Sequence, residues 1–194
     1  MCLHTTIAFA LPPDMTPTQV TAGRSHFALW PVDNAALQQR LLPSETYFAT
    51  SASWCQCDTM IGRANHSAAR GLVPSEAIAR EAAKLRAKGW GAHKIERWLA
   101  SKAEAQDKVH RLLATDIAAA RESDEIREWL SLLHELTTKG RSVALMLHNG
   151  DVTDETAFAE ETVAVPVVTA DWLVSGVRED VLYRITAADR RIRR

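Results

Sequence analysis

Between Ser75 and Gly140 the apolar residues recur at helical spacing, whereas on either side they fall into short runs of strand character. A chain with strands at both ends and helices between them buries its apolar faces by bringing the two ends into one sheet and packing helices on it. The expectation is an α+β fold: a mixed sheet of five or six short strands from both ends of the chain, packed against a central insertion of three helices. One domain is expected over 1–194. Within it, 1–62 hold strands and a cysteine loop, 75–140 the helices, 141–186 the C-terminal strands and 187–194 a basic tail.

The punctuation places the elements. Leu3 to Leu11 reads as a first strand, ended by Pro12-Pro13. Thr16-Pro17 reads as a helix cap followed by proline at the first helical position, and Asn34 as the cap of one or two further turns. Phe27, Leu29 and Trp30 suggest a short strand that Pro31 confines to an edge, and Glu45 to Ser51 a stronger one. Ser75 is expected to cap a helix that Gly89 closes. A longer helix is expected from near Gly91 to about Arg121, and a third from Ser123 to Lys139-Gly140. Ser142 to Leu147, Thr162 to Val168 and Val181 to Thr186 read as strands, with a short helix at Ala170 to Ser175.

A chain of 194 residues is long enough to bury roughly 70% of its unfolded surface without staples. Its three cysteines are an odd number and argue for a reducing compartment. No basic region precedes the short N-terminal apolar run and no later run approaches the length of a membrane span, so a cytoplasmic protein is expected.

The net charge of −1 hides a segregation. Residues 63–111 carry 11 basic and 5 acidic side chains, and residues 112–180 carry 5 basic and 14 acidic ones. The two regions either neutralise each other or present a face to a charged partner, and a basic protein on the acidic 112–180 segment is the partner expected. The segment Lys84 to Trp98 has the outline of a helix-turn-helix. The whole-chain pI near 6.7 and the acidic segment that follows nevertheless disfavour nucleic acid.

Cysteines carry the candidate chemistry. Cys55 and Cys57 lie in Trp54-Cys55-Gln56-Cys57-Asp58, just after the Glu45–Ser51 strand, and Cys2 opens the first strand two residues before His4. Alternation puts Cys2 and His4 on one side of an extended chain. If the two strands pair antiparallel, the start of the first lies beside the end of the second, and Cys2, His4, Cys55 and Cys57 converge. Three thiolates and an imidazole form the donor set of a zinc site, structural or sensing, and the short Cys-x-Cys bite is equally compatible with copper(I) or a redox thiol pair. His66 and Asp58 are alternates to His4, and Trp54 would wall a pocket beside the thiols. Ordinary half-buried cysteines and catalytic or redox thiols stand beside the metal reading. Removal of Met1 would leave Cys2 with both an amine and a thiol, as a chelator or as a nucleophile with its own amine as base.

His148-Asn149-Gly150, after an apolar strand, is similar to the His-Asn-Gly signature of class II glutamine amidotransferases, which also use a cysteine exposed at the N-terminus. That resemblance implies Cys2 as the nucleophile of a transferase or hydrolase, with Asn149 and Gly150 contributing to an oxyanion hole.

Overall fold

A computed structural model describes residues 3–11, 15–26, 28–50, 59–65, 73–149, 153 and 157–187. The fold is α+β. Six strands form one mixed sheet: β1 (Leu3–Phe9), β2 (Leu29–Pro31), β3 (Thr46–Thr50), β4 (Val143–Asn149), β5 (Ala159–Ala164) and β6 (Val181–Thr186). Their order is β2-β3-β1-β4-β6-β5, antiparallel except for the parallel pair β5–β6. The two ends of the chain interleave, because β1 lies between β3 and β4.

Two faces of this sheet are buried. On one, Ile7 pairs with Phe48 and Leu145, and Leu145 with Tyr183; Phe9 stacks on Phe48 with ring centroids 5.0 Å apart. On the other, Ala8, Tyr47, Ala144, Met146 and Leu182 form a cluster with Leu37, flanked by Val32, Leu41 and Phe158. Burial on both faces explains why β1 and β4 read as near-continuous apolar runs.

The described helices include α1 (Pro17–Val20), α2 (Ala35–Gln38), α3 (Ser75–Ala87), α4 (Ala92–Glu122) and α5 (Asp124–Thr138). Thr16 and Asn34 cap α1 and α2 as expected, Thr16 through a reciprocal capping box with Gln19. Ser123 caps α5, its hydroxyl accepting the Ile126 N–H. Ser75 does not cap α3. It is the first helical residue, and Pro74 occupies the cap position without a side-chain hydrogen bond, because the proline side chain carries no acceptor. The strand expected over Thr162–Val168 starts earlier and stops at Ala164. Pro166 has no N–H to continue the ladder, and Val165–Val167 turn into a 3-10 helix instead. The short helix expected at Ala170–Ser175 is present and takes π-type spacing over Trp172–Gly176.

The chain divides into two compact units, residues 1–63 with 120–194, and residues 64–119. The first unit holds the sheet and α5, whose Ile126, Trp129, Leu132, Leu133 and Leu136 are buried. Each such side chain contributes about 1.5–3 kcal/mol by leaving water. The described residues of the second unit hold α3 and most of α4: α3 closes at Gly89, whose φ of 83° suits a glycine, and α4 follows after a short turn. No helix among the described residues is long and apolar enough to cross a membrane.

Candidate functional site

β1 and β3 pair antiparallel, with Thr6 opposite Ala49 and Phe9 opposite Thr46. The start of β1 and the end of β3 therefore share one end of the sheet, and the Thr50 hydroxyl locks them by donating to the Thr5 carbonyl at 2.8 Å. Cys2 immediately precedes β1, and Cys55 and Cys57 follow β3 by a few residues. All three cysteines, with Trp54, Asp58 and His66, lie outside the described residues. His4 lies within β1, opposite His148 of β4, and Leu3 lies opposite Asn149. The register thus brings a second histidine to the strand end where the first was expected. Among the described residues no three His, Cys, Asp or Glu side chains are grouped to hold a metal ion.

Two polar networks flank this end of the sheet. On the face lined by Ala8 and Met146, His148 is buried, and its Nε2 lies 3.4 Å from the Tyr47 hydroxyl. Burial pushes the Tyr47 phenol above its ordinary range, partly offset by a hydrogen bond with Thr6, so Tyr47 stays protonated and able to donate. Thr6 itself donates to the Met146 carbonyl at 3.2 Å.

On the opposite face, Thr5 donates to Thr59 at 3.1 Å and Thr59 donates to Glu125 at 3.3 Å. The Met60 N–H donates to the same Glu125 oxygen at 3.0 Å. Burial raises the Glu125 carboxyl above its ordinary value, and the Met60 and Thr59 donors offset part of that rise. Next along the chain, the Gly62 N–H bonds to the Leu173 carbonyl at 2.8 Å. Gly62 has a φ of 66°, and a Cβ there would stand 2.5 Å from the Leu147 side chain and 3.0 Å from the Val177 carbonyl. Only glycine fits. The chain that leaves the cysteine segment is therefore pinned at Thr59, Met60 and Gly62. Glu125 lies in the first turn of α5, where a carboxylate suits the helix end, and no local signal in the sequence marks its second role.

A separate groove of about 500 Å³ runs beside α5, lined by Arg24, Ser25, His26, Arg127, Glu128 and Glu135 among others. Its central group is occupied from within. Glu128 accepts the N–H groups of Ser25 and His26 at 2.9 and 3.0 Å and lies 3.1 Å from His26 Nδ1. Burial alone would raise this carboxyl, but those donors bring it down to about 2. Glu128 ties the chain after α1 to α5.

Other carboxylates of the acidic 112–180 segment are engaged in the same way. Glu135 meets Arg24 and Lys139, Glu160 meets Arg184, Glu161 meets Arg178, and Asp171 meets Arg121. Much of the negative charge counted in the sequence is thus paired within the first unit. Compared with known proteins, the chain matches no family model, no curated protein sequence and no solved structure.

Proposed function

We propose that this protein binds a metal ion, zinc by the chemistry of the donor set, through Cys2, His4, Cys55 and Cys57. The single observation that carries the reading is the antiparallel pairing of β1 with β3, the step on which convergence of the N-terminus with the cysteine segment depended. His4 sits one residue into β1, at the end of the sheet from which both cysteine-bearing stretches continue. The flanking anchors at Thr59, Met60 and Gly62 support it further, since a chelating segment held at both ends loses less entropy on binding. Thiolate and imidazole ligands suit zinc, and a closed site of this kind would be structural or sensing, with its binding free energy contributing to folding.

The test is elemental analysis of protein purified without a metal-affinity column, alongside a Cys55→Ser, Cys57→Ser variant. The expected result is about one zinc per chain that the variant loses. Metal-free protein with freely titratable thiols would overturn the reading.

A second reading rests on the pairing of Leu3 with Asn149. It sets the residue after Cys2 across from the His148-Asn149 dipeptide, the relationship that a Cys2 nucleophile with an Asn149 oxyanion donor requires. Selective alkylation of Cys2 near neutral pH, with protection by an acyl substrate analogue, is its expected signature. The reading of a basic protein partner receives less support, because Glu128, Glu135, Glu160 and Glu161 already have partners within the chain.

A further inference from the structure

The cations of the two units are treated differently. In the first unit Arg24, Arg121, Arg127, Arg178 and Arg184 each meet a carboxylate. In the second unit Lys84, Arg86, Lys88 and Arg97 are exposed and form no ion pair among the described residues. Lys94 is exposed as well and rests on the Trp90 ring, 3.9 Å from its centroid. In sequence these five residues flank one feature, the turn between α3 and α4. Glu96 is the lone carboxylate between residues 84 and 97.

We infer that this helix-turn-helix end of the 64–119 unit binds the phosphate backbone of double-stranded nucleic acid. Unpaired cations on two joined helices suit a polyanion of regular charge spacing, one negative charge per about 1.7 Å of duplex axis. An acidic protein would be expected to meet apolar side chains as well as cations, because protein interfaces have apolar centres depleted of lysine. No large apolar side chain between residues 84 and 97 is exposed; Trp90 and Trp98 are half-buried. The whole-chain charge does not decide the matter. It averages two oppositely charged regions, 11 basic against 5 acidic side chains in residues 63–111 and 5 against 14 in residues 112–180. Backbone contacts of this kind give affinity without sequence preference.

The probe is a fluorescein-labelled random-sequence DNA duplex of about 20 base pairs, titrated with the full chain across about 50–200 mM salt and followed by anisotropy. The expected result is a slope of log K against log salt of about −4, as for five neutralised phosphates with imperfect contact. A Lys88→Gln, Lys94→Gln variant is expected to bind about tenfold more weakly, with a slope shallower by about two. An Arg127→Gln, Lys139→Gln variant removes the same charge from the first unit and is expected to bind like the parent. Circular dichroism checks that each variant keeps its helices. No binding at the lowest salt, or equal losses in the two variants, would overturn the inference. Tighter binding to poly-glutamate than to the duplex would also overturn it and assign the surface to an acidic polypeptide.

Discussion

The Glu125 carboxylate accepts the backbone N–H of Met60 at 3.0 Å, across 65 residues of sequence. One side chain at the start of α5 thereby holds the chain that emerges from the cysteine segment, and through Thr59 it reaches Thr5 of β1.

This contact makes a prediction with a defined sign. Burial raises the Glu125 carboxyl in the folded state, so the folded protein holds that proton more tightly than the unfolded chain does. That stabilising share is fully present below the unfolded carboxyl's ordinary value and is lost as pH rises through the folded one. Glu125→Gln keeps an acceptor for Met60 without the charge. It is expected to match or exceed the parent's stability at pH 7 and to lose that advantage near pH 4. Glu125→Ala strands the Met60 N–H and is expected to cost about 1–3 kcal/mol. Urea denaturation of the three proteins at both pH values checks the order.

Glu128 titrates in the opposite sense. Its folded value of about 2 lies below the ordinary 4.5, so its contribution is present above pH 4.5 and disappears as pH falls through about 2. Acid unfolding of the parent is expected to steepen in that window, and Glu128→Gln is expected to flatten it while lowering stability at pH 7 by about 1–3 kcal/mol. A pH series of thermal melts reads both effects. An unchanged acid limb in the variant would show that the Ser25–His26 latch does not contribute.

Arg184 and Glu45 form a pair 2.8 Å apart whose side chains are 12% and 1% exposed. Removing one partner leaves a buried charge, so Arg184→Met is expected to cost about 3–5 kcal/mol. The double variant Arg184→Met, Glu45→Leu is expected to recover most of that loss. A double-mutant cycle by denaturant unfolding measures the coupling, and additive losses would contradict it.

Gly62→Ala combines a left-handed backbone with a Cβ that would meet the Leu147 side chain and the Val177 carbonyl. The backbone conformation alone costs about 1–2 kcal/mol, and the contact with a main-chain oxygen adds to it. The expected result is a large drop in the unfolding midpoint. Gly23, with no heavy atom near its would-be Cβ, provides the control position.

Much of the candidate site could be argued from residues alone because strand polarity limits it. β1 and β3 are antiparallel neighbours, and in sequence Cys2 precedes the one while Cys55 and Cys57 follow the other. The pairing of His4 with His148 was not legible, because nothing in either strand specifies that β1 is also the neighbour of β4.

By itself the sequence determined the ends of several helices, because those signals are local. Thr16, Asn34 and Ser123 cap within three residues, and Gly89 and Gly140 supply the left-handed backbone that closes helices. Tertiary structure alone decided the strand order β2-β3-β1-β4-β6-β5 and the partners of Glu125, Glu128 and Arg184. Those contacts join groups 65, 103 and 139 residues apart. Their worth comes from the water they exclude and the donors they satisfy together, which no single stretch of chain contains.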